Sequence, residues 1–103
     1  MTTAHRTRVT IKNRTGDEEV DAWDIGVPGL VVAHVDDLYE YSITHVPSGI
    51  ALGFHDVFDN AVSAVEYIAL EGLDWTHEDL PSRDDWAAYQ AIGRSAKKLY
   101  NLH

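Results

Sequence analysis

Apolar and polar residues alternate with a period of two through the first half of the chain, then recur at about every 3.6 residues, so the sequence divides into a sheet and a helical layer. Val9 and Ile11 alternate with Arg8, Thr10 and Lys12, which predicts a half-buried first strand with a basic outer face. The turn Thr15-Gly16-Asp17 leads to a second strand over residues 20–25, where Asp21 and Asp24 flank Trp23. Gly26-Val27-Pro28-Gly29 breaks the pattern, because proline lacks an N–H donor and glycine tolerates positive φ. Residues 30–35 are a β-branched run, and residues 39–46 set Tyr39, Tyr41, Ile43 and His45 against Glu40, Ser42, Thr44 and Val46, so the two segments read as a hairpin. Pro47-Ser48-Gly49 is the next turn and residues 50–52 a short further strand.

Phe58, Ala61, Val62, Val65, Ile68 and Ala69 then fall on one helical face, with Asp56 or Asp59 placed to cap the start and Gly72 to end it. A second helix is expected to open at Ser82, with Asp85 three residues on completing a capping box. Its apolar stripe is Trp86, Tyr89, Ile92, Ala96 and Leu99, and Lys97 and Lys98 occupy the last turn, where the helix dipole favours cations. Trp86 is expected in the core and Trp75, between the helices, half exposed, while Trp23 has no assigned place. The expected fold is α+β: an antiparallel three- to five-stranded meander followed by two α-helices packed on the sheet, in one domain spanning residues 1–103.

Charge changes the picture more than composition does. Residues 15–82 hold fifteen Asp or Glu and no Lys or Arg, while all eight basic residues lie in the two ends, giving a net charge of −9 at pH 7. A nucleic-acid or anionic-membrane binder needs a basic stripe, and only two short ones are available, Arg6-Arg8-Lys12-Arg14 and Arg94-Lys97-Lys98. The absence of cysteine removes disulfides and thiolate metal ligands. The first fourteen residues lack the apolar core of a signal peptide, and no run approaches the ~18 apolar residues of a membrane span, so a soluble cytoplasmic protein is expected.

The candidate binding residues are the acids near the strand ends: Asp17, Glu18, Glu19, Asp21, Asp24, Asp36, Asp37 and Glu40. Carboxylates spread over one face at roughly phosphate spacing would let a small protein occupy a basic nucleic-acid-binding cleft. The same residues also suit a merely solvated or salt-adapted surface, or an oxygen ligand set for a divalent cation. His34, His45, His55 and His77 fall in this region, and His55-Asp56 with Asp59 and His77-Glu78-Asp79 are fragments of a metal or acid–base site, but no His-Glu-x-x-His pair exists. Ser42 and Ser48 near His45 lack the Gly-x-Ser-x-Gly setting of a hydrolytic nucleophile. Gly26-x-x-Gly29 lacks the lysine and following helix of a phosphate loop, so a plain turn accounts for it.

The stretch Tyr41-Ser-Ile-Thr-His-Val-Pro-Ser-Gly-Ile-Ala-Leu-Gly53, within residues 39–75, resembles small uncharacterised proteins of actinobacteria and their phages. A strand meander followed by a helix is also the outline of sheet-based DNA readers, whose strand face or helix start carries arginine. The matching positions here, 55–59, are acidic, which departs from that pattern. The resemblance implies a small accessory protein of a mobile element, similar in kind to inhibitors of host nucleic-acid systems.

The expected function is therefore a non-enzymatic, cofactor-free protein-binding module, an inhibitor or nucleic-acid mimic whose partner is the basic surface of a host protein. Two alternatives stand beside it. One is a nucleic-acid-binding module using the basic first strand and the C-terminal lysines. The other is a divalent-cation-dependent enzyme built on His45, His55 and Asp56. A homodimer in which the basic strand of one copy lies against the acidic middle of another is a further expectation.

Overall fold

The computed structural model describes residues 4–13, 16–35 and 40–103. Five antiparallel strands, β1 (His5–Asn13), β2 (Gly16–Asp24), β3 (Leu30–Val35), β4 (Glu40–His45) and β5 (Ile50–His55), pair in sequence order. Helix α1 (Phe58–Leu70), a 3₁₀ turn (Leu80–Ser82) and helix α2 (Trp86–Leu99) follow and lie against the sheet. The α+β meander with two helices read from the periodicity is the observed architecture.

The period-two rule explains how one sheet carries two cores. Alternate side chains of β3 point to opposite faces, so Leu30 and Val32 join one apolar cluster while Val31 and Ala33 join another. The first cluster packs β3 and β4 against Ala61, Ala64, Val65 and Ile68 of α1 and Tyr89, Ile92 and Ala96 of α2. The second contains Ile11, Val20 and Ala22 of the β1–β2 hairpin and faces away from the helices. Ser42 and Thr44, across from Ala33 and Val31, lie on that same face, where their buried hydroxyls satisfy each other at 2.7 Å.

What covers the second face is the hairpin itself. β2 pairs with β3 only at Ala22↔Ala33 and Trp23↔Val32, whereas β1 and β2 pair along their whole length. Freed from β3, the long hairpin coils over the sheet until the Lys12 N–H donates to the Gly49 carbonyl at 2.9 Å, bringing β1 to the β4–β5 turn. Curling in this way leaves less exposed strand edge than a flat sheet would.

Four local expectations are corrected. Neither Asp56 nor Asp59 caps α1: Val57 holds the N-cap position, and its N–H donates to His55 Nδ1 instead. Ser82 does not cap α2, because its hydroxyl donates to the Asp79 carbonyl inside the 3₁₀ turn, and the helix starts at Trp86 after Asp85. Asp85 gives α2 no side-chain cap, since Arg83 Nε donates to its carboxylate at 2.8 Å. Leu99 is 63% exposed; the buried stripe of Tyr89, Ile92 and Ala96 continues instead to Tyr100, and Leu102 packs over Gly53.

A further correction concerns Trp75, which is buried, at 2% exposure. Its ring meets Tyr89 edge-on at 4.8 Å between centroids, and the Tyr89 hydroxyl donates to the Asp74 carbonyl beside it. The backbone over Trp75 is Gly29, at φ +87°, where an added Cβ would collide with the Trp75 carbonyl. Gly72 at φ +72° ends α1 as its position suggested, its N–H donating to Ala69 O. Trp23 finds its place between Tyr41 and Phe58, in edge-to-face contact with both.

Gly29→Ala combines left-handed backbone strain with overpacking against Trp75, and is expected to lower stability by about 2–4 kcal/mol. Urea denaturation monitored by tryptophan fluorescence measures it, and an unchanged midpoint would show that the Gly29–Trp75 contact does not hold the connection down.

Candidate functional site

The acids named from the sequence do not form one free surface. In the β1–β2 register Arg8 lies opposite Asp21 and Lys12 opposite Asp17, so the outer face of the hairpin alternates the two signs. Arg6 donates to Asp21 at 2.8 Å, and Arg8 donates to Glu19 at 2.8 Å and to Asp21 at 3.2 Å. The Glu19 hydrogen bond, with the Glu19 and Asp21 charges, holds the Arg8 pKa above its ordinary value. Glu18 sits opposite Ile11, on the other face of the hairpin from Glu19. The Asp24 carboxylate accepts from the Gly26 N–H at the turn, and Glu40 pairs with His103. Asp36 and Asp37 lie outside the described residues.

The register decides these pairings: Asn13 pairs with Gly16, which sets Arg8 across from Asp21, whereas counting outward from a turn at Thr15-Gly16-Asp17 would set Arg8 across from Asp24. The basic strand that a second copy would have to supply to meet the acidic middle is thus already used within the chain.

A different region concentrates exposed acid. The connection from α1 to the 3₁₀ turn holds Glu71, Asp74, Glu78 and Asp79 in nine residues, all exposed, with no Lys or Arg among them. Asp74 accepts from the Thr76 hydroxyl at 2.6 Å and the Thr76 N–H at 2.9 Å, which holds its carboxyl below its usual pKa and keeps it ionised. Trp75 anchors this connection against Tyr89 in the first turn of α2. Arg94, Lys97 and Lys98 lie exposed toward the other end of that helix, about 20 Å long at 1.5 Å per residue. The helix layer therefore has an acidic pole and a basic pole.

Beneath the acidic connection lies His45, 3% exposed at the end of β4. Its Nδ1 is 2.7 Å from Ser48 Oγ, which accepts from the Ile50 N–H at 3.2 Å. Of the two serines weighed beside His45 in the sequence, Ser48 is the one that the β4–β5 turn brings to it. The Ser48 hydroxyl also lies 3.5 Å from the His45 carbonyl, and His45 Nε2 is buried with no partner in hydrogen-bond geometry. Among the described residues no carboxylate hydrogen-bonds the ring, and the hydroxyl accepts from the Ile50 N–H of its own turn. Ser42 is on the opposite face with Thr44. His55, the other histidine of the cation-site alternative, pairs with Tyr41, four residues along β4 from His45. At about 3.3 Å per residue that separates the two by about 13 Å, so His45, His55 and Asp56 do not converge. Among the described residues no three His, Cys, Asp or Glu side chains are grouped to hold a metal ion, and no helix is long and apolar enough to cross a membrane.

Comparison with known proteins returns no match to a family model, a curated protein or a solved structure.

Burial lowers the His45 pKa from its ordinary 6.5, opposed by the backbone of Trp75 and His77. Folding thus favours the neutral ring, and the unfolded chain binds the proton more readily. Stability from this site is complete above pH 6.5 and falls as the pH drops below it toward the depressed folded value. Replacing His45 with Gln is expected to flatten the stability profile between pH 7.5 and pH 5.5, read from urea midpoints; an unchanged slope would assign the acid sensitivity to other groups.

Proposed function

We propose that this chain is a small, non-enzymatic protein-binding module of the cytoplasm that docks an acidic surface onto a basic protein surface, of the kind that receives nucleic-acid phosphates. In this reading it acts as an inhibitor or nucleic-acid mimic on a host nucleic-acid-handling protein. The observation that carries the reading is where the cations go. Arg6 and Arg8 are held by Asp21 and Glu19 in the hairpin and Arg83 pairs with Asp85, so the 71–79 connection keeps four exposed carboxylates outside any ion pair among the described residues, with Asp74 alone of them shown within the field of Arg83. The docking surface is accordingly centred on Glu71, Asp74, Glu78 and Asp79 rather than on the acids of β2.

The geometry also makes this surface suitable for association. Trp75, Gly29 and the Tyr89 hydroxyl fix the backbone that presents the carboxylates, so little ordering is needed on binding. Acidic complementarity of this type raises the association rate and falls with salt. Direct nucleic-acid binding through β1 is the weaker reading, because its two arginines would have to leave their carboxylates to contact phosphate.

Capture from host lysate by wild type and by the triple variant Glu71→Lys, Glu78→Lys, Asp79→Lys, at low and high salt, tests the proposal. A basic protein held by wild type at low salt, released at high salt and lost in the folded variant is the expected result. The same captured set with the variant would remove the site from the connection, and retardation of duplex DNA by the wild-type protein at low salt would favour the nucleic-acid reading instead.

A further inference from the structure

We propose that the groove between β5 and α2 is a second docking site, which takes an extended acidic peptide carrying an apolar side chain. The groove has a volume of about 320 Å³. Ile50 and Leu52 of β5, Trp86, and Gly93, Arg94 and Lys97 of α2 line it. Ile50 is 56% exposed there.

Gly93 provides an independent observation. It sits in the middle of α2 with no positive φ, and a Cβ built on it would meet nothing within 4 Å. Neither backbone conformation nor packing requires glycine, which costs a helix interior about 1 kcal/mol relative to alanine. The missing side chain leaves the groove open, and close approach of another chain gives the residue a purpose that the fold does not.

Charge selects the occupant. Arg6, Arg8 and Arg83 are held by carboxylates of this chain, whereas Arg94 and Lys97 make no ion pair among the described residues and stand at the rim of an apolar groove. Carboxylates flanking an apolar side chain complement that rim.

The backbone selects an extended form. β5 is the last strand of the sheet, and its outer edge is closed at two places only among the described residues. The Gly49 carbonyl before it accepts from the Lys12 N–H, and Phe54 exchanges both of its backbone hydrogen bonds with His103. His103 shows that this edge exchanges backbone hydrogen bonds with another segment, and Ala51 and Leu52, between the two closures, line the groove. An incoming strand can add to them while its side chains enter the groove, as in recognition by strand addition.

Selection from a library of random short peptides on the intact wild-type chain tests the inference, with affinities measured by fluorescence anisotropy. The expected winners alternate Asp or Glu with apolar residues, weaken with salt, and shift the backbone amide resonances of Ile50, Leu52 and Gly93. Gly93→Leu fills the groove while improving helix propensity, and is expected to weaken binding at least roughly tenfold with an unchanged or higher melting temperature. The double variant Arg94→Glu, Lys97→Glu is expected to weaken it by a similar factor and reverse the charge preference. Winners without acidic residues, equal binding to both folded variants, or displacement by a duplex oligonucleotide would overturn the proposal. Because the acidic connection is untouched in these variants, the outcome is separate from that of the first proposal.

Discussion

The two-sided burial of β3 is the constraint on which the rest of the structure depends. A strand with apolar side chains on both faces must be covered twice, and this chain has helices for only one side. The second cover comes from lengthening the β1–β2 hairpin and pairing it with β3 at only two positions, so that it can fold over Val31 and Ala33. The same move sends the basic strand β1 across from the acids of β2 and carries its end to Gly49. Core geometry and charge distribution are therefore consequences of one topological choice.

That choice leaves the helix layer to carry the remaining exposed charge. Acids gather in the connection before α2, and Lys97 and Lys98 occupy its last turn, where cations complement the helix dipole. Anchoring by Trp75 makes the acidic pole rigid, and the open helix face at Gly93 makes the basic pole concave. A molecule with a net charge of −9 thus offers two surfaces of opposite sign rather than a uniformly acidic one.

The fold was legible because the two periodicities are strong. The change from period two to 3.6 located the sheet and both helices, and Gly72 marked the end of α1 correctly. Features that depend on contacts remote in sequence were not legible. Trp75 sits in a connection without periodicity, so its burial depends on Gly29, 46 positions away, which no local pattern reveals. The capping expectations failed where a competing side chain intervened: Arg83 took Asp85, and His55 replaced a carboxylate at the start of α1. Of the candidate site, the acidity is plain in the sequence but its compensation is not, because the register that pairs Arg8 with Asp21 differs from the one a turn at Thr15-Gly16-Asp17 would set.

In the proposed reading the carboxylates used in binding are those of the 71–79 connection. Carbodiimide coupling in the captured complex, followed by mass spectrometry of the linked peptides, locates them directly by joining carboxylates to the partner's lysines. Links concentrated at Glu71, Asp74, Glu78 and Asp79 are the predicted result. Links concentrated at Asp17, Glu18 and Glu19 instead would contradict the account and return the binding surface to the hairpin.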